Sequence, residues 1–405
     1  MALIVQKYGG TSVGDAERIR AVAQHVAATR RDGHEVVVVV SAMGKFTDDL
    51  IVLADEVSPN RPDREMDMLL TAGERISMAL VSMALGTVGV ESASFTGSQA
   101  GIITDTSHTR AKILEIRPDR IREALDDGLV PVVAGFQGVS TDRDITTLGR
   151  GGSDVTAVAL AAALKADVCE IYTDVSGVYS ADPRVVPAAR RLSTVSFDEM
   201  MEIAATGGRV LMLRSVELAR RHRVPLHVRS SFTWEPGTWI VEENPTMEEA
   251  IVSAITDDTT EAKITVAGVP DRPGVAATLF RELANENINV DMIVQNTGLH
   301  NVTDISFTVA KTDLEAATKA CQKIQKEIDA ATVTSDDRIG RVSLVGAGMK
   351  SSPGVTALMF ETLYQNGINI EMISTSSIRI SCVLHADKVA DAVRVLHHAF
   401  GLDAE

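Results

Sequence analysis

Glu35-Val36-Val37-Val38-Val39-Val40-Ser41 sets five valines in a row. A strand with one wet face alternates apolar and polar residues. An unbroken β-branched run instead fits a strand buried on both faces, as inside a parallel sheet covered by helices. Working outward, residues 2–7 read as another strand. Residues 16–31 read as the helix between them, with Ile19, Val22, Ala23 and Val26 on one face. Residues 75–85 then look helical, 129–134 strand-like, 154–165 an alanine-rich helix and 169–173 a short strand. This alternation predicts an α/β domain with a mostly parallel sheet. Ligands of such domains collect beyond the carboxyl ends of the strands.

Two clusters fall at such ends. The first is Lys7-Tyr8-Gly9-Gly10-Thr11-Ser12; the second is Thr147-Leu148-Gly149-Arg150-Gly151-Gly152-Ser153-Asp154. Each supplies glycine N–H groups, a hydroxyl and a fixed cation where a helix opens, which suits anions and phosphate above all. Two such cradles in one domain point to a place where two anions meet.

With 405 residues the chain exceeds one ordinary core, and two or three domains are expected. Apolar residues at 45% exclude a disordered chain, and a net charge of −16 argues against nucleic acid or an anionic membrane as partner. The start, residues 1–7, has only a brief apolar run, too short for a signal-peptide core, and no stretch reads as a membrane span. Cys169, Cys321 and Cys382 lie far apart without metal-type spacing and read as small buried side chains. A soluble, cytoplasmic protein is expected.

Strand-like stretches at 226–229 and 239–241 close the first domain, and Glu242-Glu243-Asn244-Pro245 reads as a linker. The remainder repeats itself. Pro273-Gly274-Val275 returns as Pro353-Gly354-Val355, and Ile288-Asn289-Val290-Asp291-Met292-Ile293 returns as Ile368-Asn369-Ile370-Glu371-Met372-Ile373, always 80 residues later. Each copy reads strand, Pro-Gly turn, amphipathic helix, strand. The helices carry Val275, Leu279 and Leu283, then Val355, Met359 and Leu363.

Together with Ser41-Ala42-Met43-Gly44, Thr71-Ala72-Gly73-Glu74, Tyr172-Thr173-Asp174-Val175 and Ala181-Asp182-Pro183-Arg184, the two clusters resemble the signature of bacterial aspartate kinase. The duplicated tail resembles that family's pair of ACT domains, and the similarity runs in order through essentially the whole chain. The resemblance implies an amino-acid kinase fold, an α/β/α sandwich around a mostly parallel sheet, over residues 1–245. Two ACT-type α+β domains would follow at 262–338 and 339–405. It also implies transfer of the γ-phosphoryl of MgATP to the side-chain carboxylate of L-aspartate, on the route to lysine, threonine and methionine.

By the same resemblance Lys7 serves the transferred phosphoryl group and Asp154 orients it. Arg150 holds aspartate, with Gly151, Gly152 and Ser153 beside it and Ser41, Thr47 and Glu74 as further contacts. ATP falls to Lys7, Tyr8, Gly9, Gly10, Thr173, Asp174, Tyr179, Arg184 and Arg209. Magnesium arrives with ATP, and no dedicated protein metal site is expected. An effector, lysine and/or threonine, falls to Asp271, Gly274, Val275, Asn289, Asp291 and Gln295 in the first copy. In the second copy it falls to Asn369, Glu371, Thr375 and Ser381. A homo-oligomer through the ACT units is implied, or a shorter regulatory subunit started at Met247.

The plain structural alternatives are that Glu74 is a first-turn helix acid, that Ser41 and Thr47 cap local structure, and that Asn289 and Asn369 close turns. Met292 and Met372 read as core filling. The chain departs from the family pattern in three places. Arg209 stands where lysine is common, the 296–302 loop is short, and Ser377 stands where glutamate is usual. A kinase for glutamate and a non-catalytic amino-acid sensor are the rival readings. The rivals lose ground to the tandem tail and to the presence of Lys7, Arg150 and Asp154 together.

Overall fold

The computed structural model describes residues 1–242, 252–297 and 301–403. The chain divides into two compact units. The first comprises Met1–Val178, Arg191–Ala204 and Arg209–Thr246; the second comprises Tyr179–Arg190, Ala205–Gly208 and Met247–Glu405.

The first unit is built on an eight-stranded sheet. Its order is Thr194–Ser196, Thr238–Val241, Leu226–Ser230, Val168–Thr173, Leu3–Tyr8, Glu35–Val40, Val130–Ala134 and Ser92–Phe95. All neighbours run parallel except Leu226–Ser230 against Thr238–Val241. The valine run sits near its centre, wholly buried. Val36, Val38 and Val40 pack with Ile19, Val22 and Val26 of the helix Ala16–Arg31, and with Val81 and Leu85 of the helix Asp63–Thr87. The alanine-rich helix Gly152–Leu164 packs on Leu3–Tyr8 and Glu35–Val40 and is buried almost all round. Both faces are therefore covered, which explains why neither carries a polar alternation. A smaller sheet of Ile113–Ile116, Ile102–Thr104, Gln137–Ser140 and Ile145–Thr147 completes the unit.

The helix expected at 75–85 starts at Asp63. Gly73 in its middle signals close packing and not a break: a Cβ there would stand 2.6 Å from the Ala42 Cβ. Contrary to the sequence reading, this helix is long and apolar enough to cross a membrane by length and composition. It packs instead against Ala16–Arg31, and it buries Asp67, Thr71, Glu74 and Ser77.

The second unit holds the two repeats as two antiparallel four-stranded sheets. The first has the order Ile293–Thr297, Val302–Ala310, Glu261–Pro270, Thr332–Asp336, with helices Val275–Asn285 and Leu314–Ile324. The second has the order Ala254–Asp258, Ile339–Val345, Arg379–His385, Met372–Thr375, with helices Gly354–Gln365 and Val389–Ala399. Ala254–Asp258 takes the place in the second copy that Thr332–Asp336 takes in the first, yet it precedes the first copy in the chain. A boundary at 339 omits this strand. A first domain running unbroken over 1–245 is likewise revised, because Ala181 and Val186 are buried in the second copy's core. Met292 and Met372 are core residues, packed together with Ile339 and Val383. Residues 243–245 of the linker expected at 242–245, and the Met247 start, lie outside the described residues.

Candidate active site

Strand Leu3–Tyr8 delivers Lys7 to the carboxyl edge of the sheet, in register with Val39 and Ile171 on either side. Its Nζ lies 2.7 Å from Asp154 Oδ1, and both side chains are about a tenth exposed. Asp154 stands in the first turn of the helix Gly152–Leu164, where the dipole favours its negative charge. The cap before it, Gly151, has φ +70°, and a Cβ there would stand 1.8 Å from Met212 Cγ, so glycine is required on both counts.

After Tyr8 the chain makes a single helical turn, Gly10–Val13. The Gly9 N–H donates to the Tyr172 carbonyl at 3.1 Å, and the Gly44 N–H donates to the Gly10 carbonyl at 3.0 Å. The Ser41 N–H donates to the Tyr8 carbonyl at 3.1 Å. These bonds hold the Lys7 loop against the Ser41-Ala42-Met43-Gly44 turn. Ser41 and Thr47 are half-buried; Thr47 lies inside the first turn of Phe46–Val57 and caps nothing, because the cap position is Lys45.

Glu74 is mid-helix, not in a first turn, and buried at 3% exposure. Its Oε1 accepts from the Ala42 N–H at 3.1 Å, while Oε2 has no partner among the described residues. Burial pushes its pKa up to about 7 against the opposing pull of two backbone N–H groups. An orphaned, buried carboxylate oxygen beside a loop has the chemistry to accept a hydrogen bond from a cationic donor such as an ammonium group. Arg150 is exposed between Gly149 and Gly151, and Gly152 and Ser153 follow it, buried, at the helix start.

Sequence reasoning missed Asp67. This wholly buried carboxylate accepts from Thr147 Oγ1 at 2.5 Å and from the Thr109 N–H at 3.0 Å, and it lies 2.7 Å from His108 Nδ1. It anchors the loop that carries Arg150. Asp67, Thr71 and Glu74 share one helix face at i, i+4 and i+7, and that spacing was the available signal. Arg214 fastens the same loop by donating to the Leu148 carbonyl at 3.0 Å and the Ala111 carbonyl at 2.9 Å.

Of the nucleotide candidates, Thr173 ends the strand Val168–Thr173 and Asp174 follows it, at the same sheet edge. Tyr8 has only its backbone to offer a ligand: its ring is wholly buried and stacks on Tyr172 with centroids 4.9 Å apart. Arg209 is exposed, and Tyr179 and Arg184 belong to the second unit. Beneath the site, Glu170 is held by Gln6 and Tyr172 at 2.9 Å each and by Arg229 at 3.3 Å. Burial alone would raise its pKa; hydrogen bonds from His227, Gln6 and Tyr172 and the Arg229 charge outweigh it and lower the value to about 2. Among the described residues no group of three or more His, Cys, Asp or Glu is placed to hold a metal ion.

In the second unit, Asp291 of the first copy pairs with Arg341 of the second, and Glu371 of the second pairs with Lys263 of the first. Asp271, Gly274, Asn289, Gln295, Asn369 and Thr375 are exposed, and Val275 is buried at the start of its helix. Ser381 does not belong with them. It is wholly buried between strands, with its Oγ 2.7 Å from Ser343 Oγ.

Residues 2–230 match the amino acid kinase family, and residues 264–325 and 342–400 match the ACT domain. The aspartokinase of Mycolicibacterium smegmatis is 57% identical over 411 residues, covering 100% of this chain and 97% of that protein. The chain belongs to the aspartokinase family. It transfers the γ-phosphoryl group of ATP to the side-chain carboxylate of L-aspartate, giving 4-phospho-L-aspartate. The kinase is also similar in fold to E. coli aspartokinase III in complex with aspartate and ADP, an R-state structure. The TM-score is 0.85 at 25% identity, with 98% of this chain and 99% of that one covered. Against the T-state complex of the same enzyme with lysine and aspartate, at the same identity and coverage, the TM-score is 0.73.

Proposed function

We propose that Lys7 neutralises the phosphoryl group in flight, with Asp154 orienting it, while Arg150 and Glu74 read the charged ends of aspartate. The carrying observation is the Lys7–Asp154 pair held against the turn whose Ala42 N–H meets the half-satisfied Glu74 carboxylate. Aspartate's attacking carboxylate is ionised at neutral pH and needs no general base. The obstacle is an anion approaching a polyanion, so catalysis consists of positioning and charge neutralisation. Arg150 takes a carboxylate through two parallel N–H bonds, and Glu74 takes the α-ammonium. A pocket that reads both ends rejects simple dicarboxylates.

MgATP is the donor substrate, with Lys7, the backbone of Tyr8, Gly9 and Gly10, and Thr173, Asp174, Tyr179, Arg184 and Arg209 assigned to it. Magnesium usually keeps waters and phosphate oxygens as ligands, and no protein cage is required. Lysine, threonine or both are assigned to the Asp271–Gln295 and Asn369–Thr375 surfaces. There they bias a homo-oligomer toward a less active state through their difference in affinity for the two states. Ser381 is withdrawn from this set because it is buried.

The test is acyl phosphate formation from ATP, trapped with hydroxylamine. Aspartate is compared with glutamate, and lysine and threonine are then added singly and together. Product from aspartate that an added amino acid suppresses supports the whole assignment. Product that neither suppresses removes the effector assignment and leaves the kinase.

A further inference from the structure

The nucleotide segment leaves the first unit at Val178 and rejoins it at Arg191, and Tyr179–Arg190 folds with the second unit. Ser180, between the nucleotide candidates Tyr179 and Arg184, is wholly buried. Its Oγ lies 2.8 Å from His397 Nε2 and 3.3 Å from the Leu402 carbonyl oxygen, and it accepts from the Arg190 N–H at 3.0 Å. His397, wholly buried on Val389–Ala399, has its Nδ1 3.0 Å from Asp403 Oδ1. The other Asp403 oxygen lies 3.0 Å from His398 Nδ1, and the Asp403 backbone bridges to Ala189. The Ile255 N–H donates to the Ser180 carbonyl at 2.7 Å, and Ala181 and Val186 pack with Val393, Leu396 and Leu402.

Serine, histidine and aspartate in this order match a nucleophile, its base and an orienting acid. Ser180 and His397 are both closed to solvent, however, so no acyl group reaches the hydroxyl. The same bonds do something else well. Asp403 takes the His397 Nδ1–H, which leaves Nε2 as the acceptor for the Ser180 hydroxyl. The loop is thereby tied at Ser180 to the helix and at Ala189 to the segment that follows it.

We propose that Ser180, His397 and Asp403 are positioning residues for ATP. They hold the loop bearing Tyr179 and Arg184 in its nucleotide-binding shape. This rests on the assignment of Tyr179 and Arg184 to the nucleotide made above. A loop that must order itself on binding loses apparent affinity in proportion to the fraction already in the competent shape. The loss falls on ATP and spares aspartate.

The test is steady-state kinetics of the full-length kinase, varying MgATP and aspartate separately, on His397→Ala, His397→Gln, Asp403→Asn and Arg184→Ala. His397→Ala is expected to raise the KM for MgATP about five- to tenfold, with kcat and the aspartate KM within about twofold. His397→Gln, which keeps a hydrogen-bonding amide on the Ser180 side, recovers part of the loss. An unchanged MgATP KM in folded His397→Ala, or an equal rise in both KM values, overturns the proposal. If His397→Ala loses its thermal transition, Asp403→Asn decides by the same criterion, since that side chain is 40% exposed and tolerates exchange. Arg184→Ala separates the two layers. No effect there on the MgATP KM removes the nucleotide assignment and the proposal together. An effect there without one at His397 removes the positioning role alone.

Discussion

Lys7 Nζ lies 2.7 Å from Asp154 Oδ1 in a nearly closed environment, so the cation proposed to meet the phosphoryl group is already held in one direction by its partner. Breaking a pair this buried leaves one charge unanswered. Lys7→Ala is expected to lower kcat by about 10²–10³, the usual loss of one preorganised charge-stabilising group, with the aspartate KM little changed. Hydroxylamine-trapped turnover beside a thermal melt checks it. A full-rate Lys7→Ala enzyme would remove Lys7 from the chemistry.

Arg150 is exposed, so its replacement is expected to report on substrate more than on folding. Arg150→Lys keeps the charge and loses the paired N–H geometry. The aspartate KM should rise by about tenfold in Arg150→Lys and by more in Arg150→Ala, while stability moves by less than about 0.5 kcal/mol. Equal KM values for Arg150→Lys and the parent would show that the fork geometry is not used.

Glu74 carries a pKa near 7 in the folded protein against 4.5 for the ordinary group. The folded state therefore binds the extra proton, and the associated stability is present below about pH 4.5 and lost as pH rises through about 7. Glu74→Gln removes that loss. In aspartate-free protein it should gain up to about 3 kcal/mol over its parent at pH 8 and almost nothing at pH 4. In the parent, the aspartate KM should fall as pH rises through 7, and in Glu74→Gln that dependence should vanish. Denaturant melts and KM profiles at matched pH values measure both.

Glu170 shows the opposite sign. Its folded pKa is about 2, so its contribution is present above about pH 4.5 and lost as pH falls through 2. Glu170→Gln is expected to cost up to about 3 kcal/mol at neutral pH. Its stability should also be flatter than the parent's between pH 4.5 and 2. Parallel pH–stability curves for the two proteins would overturn the network's role.

The α/β architecture was legible because the valine run has one physical explanation, burial on both faces. The duplicated tail was legible because an 80-residue offset is preserved through turns and cores alike. Lys7, Glu74, Arg150 and Asp154 stood out as charges set among glycines or hydroxyls. Asp67 did not, because its partners Thr109 and Thr147 lie far along the chain. The helix start at Asp63 was obscured by Gly73, which serves a contact with Ala42 that no local pattern reports. Ser381 sat at a plausible effector position, and only the sheet register turned it toward Ser343.

Ala254–Asp258 closes the second copy's sheet from ahead of the first copy, so the first copy is nested inside the second like an inner clause. Ile255 pairs with Leu344 across the whole of the intervening repeat. The second sheet's last edge is thus a high-contact-order step, completed only after a long loop has closed. A fragment cut between the copies leaves Ile339–Val345 with an open edge able to recruit foreign strands. A truncation or transplant that keeps both sheets whole therefore has to take the two copies as one piece.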